Sequence, residues 1–216
     1  MRGLFVTGTD TGIGKTVVSA AAVMALRAAT PAGYWKPVQT GIEQDDDTRD
    51  VRRLAACAPA EIWDHGVRLP RPLSPHLSAH LAGTRVDVAG VVAAAPAEDR
   101  CWVVEGAGGV LVPLNDREDM TDLMRALALP VLVAARSTLG TINHTRLTVE
   151  ALRGRSLHVA GIVLVGPPND DNREAVETRT GTRVLGVLPP LDSLTHDALA
   201  AWAAGPFAAA LVREVV

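Results

Sequence analysis

The segment Gly8-Thr9-Asp10-Thr11-Gly12-Ile13-Gly14-Lys15-Thr16 lies between the apolar run Leu4–Thr7 and an Ala/Val-rich stretch. It constrains the fold of this chain more than any other feature. A strand that turns through small residues directly into a helix lets successive backbone N–H groups converge, and the helix adds the positive end of its dipole. Such a joint binds phosphate. Lys15 is placed to reach the β- and γ-phosphates of a nucleoside triphosphate, and the Thr16 hydroxyl to ligate Mg²⁺. Asp10, Thr11, Gly12, Ile13 and Gly14 supply the rest of the cradle. The spacing departs from the usual motif, because Thr9 stands at the expected first glycine position and Gly8 comes one residue earlier. A glycine-rich strand–helix joint can also be purely structural. Gly-Lys-Thr at a helix start, directly after the first strand, argues for phosphate.

The remaining chain alternates short apolar runs with longer helix-compatible stretches. Strands are expected at Leu4–Thr7, Gly33–Lys36, Cys101–Glu105, Val131–Ala135, His158–Val165 and Arg183–Leu188. Helices are expected at Lys15–Ala29, Thr48–Ala58, Val86–Ala95, Asp119–Leu129, Ile142–Arg153, Asn172–Thr178 and Thr195–Val212. Near-continuous apolar strands separated by helices indicate a parallel sheet covered on both faces. No low-complexity linker or internal repeat divides the chain. The expectation is one α/β domain over residues 1–216, with a doubly wound, mainly parallel sheet of about six to seven strands, of the P-loop NTPase type. Ligands of such sheets bind beyond the carboxyl ends of the strands.

Composition narrows the function. The net charge of -3 and a pI near 6.1, with scattered arginines, give no sign of a nucleic-acid or anionic-membrane surface. The apolar stretches are of strand length and the amino terminus turns polar at Thr7, so neither a membrane span nor a signal core is expected. Cys57 and Cys101 lie far apart and read as reduced core residues. These features predict a soluble, cytoplasmic protein.

Of the 21 basic residues only two are lysine, Lys15 and Lys36. A lysine kept in an arginine-rich background marks a place where a compact ammonium serves and a fork-shaped guanidinium does not. Lys36 ends the expected strand Gly33–Lys36 and opens Lys36-Pro37-Val38-Gln39-Thr40-Gly41. Two acidic residues can complete a metal site with Thr16. Glu105 ends the strand that leads into Gly106-Ala107-Gly108-Gly109, and the Asp45-Asp46-Asp47 run offers a third ligand. Mg²⁺ takes a few hard oxygens plus phosphate and water. Asp47, which opens a helix with Val51 and Leu54 at +4 and +7, is favoured over Asp50.

Five ordered segments together resemble the dethiobiotin synthetase family. They are Val6-Thr7-Gly8-Thr9-Asp10-Thr11 with Gly14-Lys15-Thr16, Lys36-Pro37-Val38-Gln39-Thr40-Gly41, Ser74-Pro75-His76, Val104-Glu105-Gly106-Ala107-Gly108-Gly109, and Leu139-Gly140-Thr141-Ile142-Asn143-His144. The resemblance implies a homodimeric cyclo-ligase using ATP, or another nucleoside triphosphate, with Mg²⁺. Its substrates would be 7,8-diaminopelargonic acid (7,8-diaminononanoate) and CO2. One amine captures CO2 as a carbamate, phosphoryl transfer makes a carbamic–phosphoric anhydride, and the second amine closes the cyclic urea.

Residue roles follow from the resemblance. Lys15, Lys36 and Thr11 would be catalytic. Thr16, Asp47 and Glu105 would hold Mg²⁺. Lys36 would sit between carbamate and γ-phosphate, Thr11 and Thr40 would hydrogen-bond the amino or carbamate end, and Gly108, Gly109 and Val110 would offer backbone contacts to substrate. Thr141, Ile142 and Asn143, at a helix start, would bind the tail carboxylate from the partner subunit. Val165 and Leu188-Pro189-Pro190 would contact the nucleotide base. The family often carries Asn-Asp after the strand ending at Val165, whereas this chain has Gly166-Pro167, leaving adenine selectivity open. The competing class is a P-loop ATPase switch of the partitioning or cell-division-site type. Such switches carry an early Lys-Gly-Gly, and Asp10 stands near that position here. A cobyrinate amidotransferase would need a further glutaminase domain.

Overall fold

The computed structural model describes residues 1–216. The first apolar run becomes strand β1 (Arg2–Gly8), and the phosphate loop leads into helix α1 (Lys15–Arg27). Strand β2 (Ala32–Trp35) follows, then the short β3 (Val38–Thr40), α2 (Asp47–Leu54), a single 3-10 turn, β4 (Ile62–Trp63) and β5 (Val67–Leu69). Helices α3 (Pro75–Leu81) and α4 (Val88–Ala93) precede the long β6 (Cys101–Gly109). The second half runs α5 (Met120–Leu127), β7 (Val131–Arg136), α6 (Thr141–Arg153), β8 (Val159–Val165), α7 (Asp170–Thr180) and β9 (Val184–Leu188). Helices α8 (His196–Ala203) and α9 (Pro206–Val215) close the chain.

Seven strands form one sheet in the order β4-β2-β6-β1-β7-β8-β9, all neighbours parallel. Alternation along each strand feeds two apolar layers. Leu4, Val6 and Tyr34 point to one face, against α1, α2, α8 and α9, while Phe5 and Trp35 point to the other. Both layers are close in size, with 29 and 28 buried residues, so the sheet is covered on each side and its strands read as unbroken apolar runs. Cys57 and Cys101 are free and buried, as expected.

Three expectations need correction. Residues 195–212 do not make one helix: the chain bends by 66° between α8 and α9, where Gly205 precedes Pro206. Proline has no N–H to donate and is tolerated at the first helical position, so it starts α9 rather than extending α8. Helix α2 ends at Leu54 instead of Ala58, since Ala56 turns left-handed (φ 46°) and Ala58, which precedes Pro59, is held extended (φ -65°, ψ 155°). The strand β4 and the parallel pair β3–β5 were not expected. No single helix is long and apolar enough to cross a membrane. The bent pair α8–α9 would reach that length and composition, and it buries Leu199, Phe207 and Leu211 against the sheet. Trp202 stacks on Phe207 there, with ring centroids 4.7 Å apart.

Candidate active site

Thr9 N–H donates to Ala134 O (3.0 Å), and the chain then turns over the carboxyl edge of the sheet through residues 10–14. Gly12 (φ 72°) and Gly14 (φ 94°) occupy left-handed conformations that side-chain-bearing residues avoid. Gly14 is the N-cap of α1 and has no side-chain acceptor, so the first N–H groups of the helix point into the loop unpartnered by a cap. Lys15 Nζ donates to Asp10 O at 2.9 Å and folds back along the loop. Asp10 also braces the loop from outside: Oδ1 accepts from Thr11 N (2.7 Å) and Oδ2 from Arg136 Nη2 (3.1 Å).

The strand order brings distant residues together. Because β6 lies between β2 and β1, the carboxyl ends of these strands place Lys36 and Glu105 beside Thr16. Val6 pairs with Glu105, but Gly8 pairs with Gly109, so β6 bulges immediately after Glu105. The bulge leaves Gly106 O available to accept from Lys36 Nζ at 2.9 Å. Asp46 caps α2 by accepting from Arg49 N (2.9 Å), which frees Asp47 to turn inward.

Lys36 is 2% exposed, and its Nζ stands 2.6 Å from Asp47 Oδ2 and 2.9 Å from Glu105 Oε1. Thr16 Oγ1 lies 2.7 Å from Asp47 Oδ1 and 3.2 Å from Glu105 Oε1. A hydroxyl has one proton, and the shorter distance assigns it to Asp47. Tyr34 OH donates to Glu105 Oε2 across 2.9 Å. Asp50 stays outside this cluster, 3.9 Å from Arg49 and from Arg53.

Charge follows geometry. Burial pushes the Lys36 ammonium down, but the Glu105 and Asp47 carboxylates outweigh it and hold the group above the usual lysine value. Burial likewise pushes Asp47 up, and Lys36 with the Lys36 and Thr16 hydrogen bonds brings it below the usual carboxylate value. Burial lowers Lys15, helped by the neighbouring Lys36 and opposed by Glu105. Burial and the Glu105 charge raise Tyr34 well above an ordinary phenol, so it is a proton donor.

The donor set suits Mg²⁺. One hydroxyl and two carboxylates converge at a phosphate loop, all hard oxygens, with the remaining positions left to phosphate and water. Thr16, Asp47 and Glu105 could hold the ion.

A cavity of about 580 Å³ opens over this cluster. Thr11, Gly12, Gly14, Lys15 and Thr16 form one wall, Lys36, Thr40 and Asp47 another, and Glu105 and Gly108 the floor. Ser74 and Pro75, the start of α3, line it too. The other sequence-derived candidates lie around it rather than in it. Asp10 and Ile13 belong to the loop, Ile13 with its side chain buried. Gly109 and Val110 end β6 and begin the turn beyond it. Val165 abuts the loop, since a Cβ on Gly14 would meet Val165 Cγ1 at 3.1 Å. Leu188 accepts from Gly166 N (2.9 Å) and is buried, while Pro189 and Pro190 are partly exposed and exposed. Thr141 Oγ1 is 3.1 Å from Thr145 Oγ1 inside α6, and Ile142 and Asn143 face outward. Sequence reasoning passed over Tyr34, which reads as one more apolar strand residue. Its signal is that it is the only tyrosine in the chain.

A family model described as "AAA domain" matches residues 2–198. The ATP-dependent dethiobiotin synthetase of Paramagnetospirillum magneticum is 48% identical over 93% of this chain and 94% of its own. That of Brucella ovis is 46% identical over 91% and 90%. The chain belongs to the dethiobiotin synthetase family. Among solved structures, the MinC:MinD cell division protein complex of Aquifex aeolicus matches with a TM-score of 0.59 at 12% identity, covering 99% of this chain and 95% of that one. At that identity the likeness shows the fold alone. The cell division protein is therefore a fold relative, and the five ordered segments accord with the dethiobiotin synthetase family.

Proposed function

We infer that the protein is an ATP-dependent dethiobiotin synthetase, a cyclo-ligase of biotin biosynthesis. It joins 7,8-diaminopelargonic acid and CO2 with cleavage of ATP to ADP and phosphate. The observation that carries this reading is the fully buried, charged Lys36 facing a cavity walled by a phosphate loop. In the reaction one amine adds to CO2 and loses a proton, giving a carbamate. A carbamate oxygen takes the γ-phosphoryl group as ADP leaves. The second amine then attacks that carbon, forms the second C–N bond and expels phosphate. This sequence asks the protein to hold reactants in line and to neutralise charge, and little else.

The residues divide accordingly. The N–H groups of residues 10–16 and the Lys15 ammonium bind the triphosphate. Thr16, Asp47 and Glu105 hold Mg²⁺, which when bound neutralises phosphate charge. Lys36 meets the carbamate and transferring phosphoryl, Thr11 and Thr40 orient the amino end, and Gly108, Gly109 and Val110 offer backbone groups. Val165 and Leu188-Pro189-Pro190 border the base. Residues 1–216 act as one domain, in the cytoplasm.

We also propose a homodimer. Leu139, just before α6, is 97% exposed, and Ile142 and Leu147 are exposed within the first two turns of that helix. A second copy covering this apolar start of α6 would carry Thr141, Ile142 and Asn143 toward its partner's cavity. The test is an assay of cyclic-urea formation and phosphate release with the diamine, bicarbonate, Mg²⁺ and several nucleotides. Urea formation dependent on the diamine is expected. Nucleotide hydrolysis indifferent to it would overturn the reading in favour of a switch.

A further inference from the structure

Tyr34 is the only tyrosine in a chain whose aromatic content is 3%. It is fully buried in β2, next to β6, and the register pairs Tyr34 with Val103, so Glu105 lies two residues further along the same face. The apolar layer there needs a ring, which phenylalanine would supply equally well. The hydroxyl serves something else: its one partner is Glu105 Oε2, at 2.9 Å. The other oxygen, Oε1, faces Thr16 and Lys36. Glu105 is itself 0% exposed, so no water competes for Oε2.

We propose that Tyr34 is a positioning residue for the cation site, pinning Glu105 Oε2 so that the carboxylate turns Oε1 alone toward Thr16 and Lys36. This rests on the reading of Glu105 as a metal ligand. A carboxylate free to rotate about its terminal torsion could present either oxygen to Thr16, Lys36 and the cation, since that torsion is soft. A donor from the neighbouring strand removes this freedom. Outer hydrogen bonds of this kind orient metal-binding carboxylates and set their affinity. The ring and the hydroxyl thus have separate tasks, one in the core and one in the site.

The experiment uses Tyr34→Phe, which keeps the ring and removes the O–H. Mn²⁺ binding to the ADP-loaded protein is followed by electron paramagnetic resonance, alongside ADP affinity in chelator. We expect Mn²⁺ affinity to fall on the order of 10-fold, with ADP affinity in chelator unchanged. Wild-type Mn²⁺ affinity in the variant, whatever its melting temperature, overturns the proposal. Glu105→Gln separates the two layers of inference. If it leaves Mn²⁺ affinity intact, the metal-ligand reading fails; if it weakens Mn²⁺ while Tyr34→Phe does not, only the role of Tyr34 fails. Should the variant not fold, the lone tyrosine permits a measurement on the unaltered chain. With ζ-¹³C tyrosine the protein gives one ring resonance, which is expected to shift when Mg²⁺ is added to the ADP-loaded protein. An unmoved resonance contradicts the coupling.

Discussion

Thr16 Oγ1 donates to Asp47 Oδ1 across 2.7 Å, tying the first turn of α1 to the first residue of α2. The far oxygen of the same carboxylate is held 2.6 Å from Lys36 Nζ. Asp47 therefore joins the triphosphate side of the cavity to the side that would receive the carbamate. Any loss at this junction should be felt by both halves of the reaction.

Replacing Lys36 by arginine keeps the charge and changes its shape. The ammonium sits among Asp47, Glu105 and Gly106 O with 2% exposure, and a planar fork cannot satisfy the three in the same volume. Turnover to the cyclic urea should fall at least ~10-fold with ADP affinity nearly unchanged, as for a contact made in the transition state. Wild-type turnover would show that Lys36 is not in the reaction path.

The Lys36–Asp47 pair gives stability opposite pH limits. Asp47 is held below its unfolded value, so its contribution is present above about pH 3.9 and is lost as the pH falls through its folded value. Lys36 is held above its unfolded value, so its contribution is present below about pH 10.4 and is lost as the pH rises through its folded value. In urea unfolding, the gap between wild type and Asp47→Asn should be steady at neutral pH and narrow only under acid. The gap to Lys36→Met should narrow only under alkali.

Gly14 combines φ 94° with a Cβ position 3.1 Å from Val165 Cγ1. Gly14→Ala should destabilise the fold by about 1–2 kcal/mol through left-handed strain, before any clash is counted. It should also weaken ADP binding, because the same turn aims the first N–H groups of α1. Denaturant midpoints and ADP titration report the two effects separately, and loss of neither would remove the phosphate-loop role from this glycine.

Ile142→Arg tests the proposed homodimer. The side chain is 37% exposed and lies outside the cavity of its own chain. Light scattering should show a folded monomer, with cyclic-urea formation lost and ADP affinity retained. An active monomer would refute the contribution of the partner's Thr141, Ile142 and Asn143.

Much of the fold can be read from local pattern. The run Leu4–Thr7, the small-residue turn and Lys15-Thr16 announce β1, the loop and α1, because each depends on neighbours in sequence. The pair β3–β5 cannot be read this way. Its strands are three residues long and exist only through mutual pairing of Val38–Thr40 with Val67–Leu69. The break at Gly205-Pro206 was signalled by proline and was masked by the alanine-rich stretches around it. In the site, Lys15, Thr16 and Lys36 stand out by motif and composition. Tyr34 and Arg136 do not, since what they do is set by which strand lies beside which.

The placement of β6 also fixes when the cavity can come into being. Glu105 is separated from Lys36 by 69 positions and from Thr16 by 89, yet its strand slots between β2, which leads to Lys36, and β1, which leads to the phosphate loop. As a nascent chain lengthens, the phosphate loop and Lys36 emerge before the strand that comes to lie between β1 and β2. Insertion of β6 closes both long loops at once and delivers the carboxylate, the Gly106 carbonyl and the Gly108 floor together. Competence for nucleotide and metal thus requires β6 to be in place, and a chain stopped short of this strand would have the motif without the site.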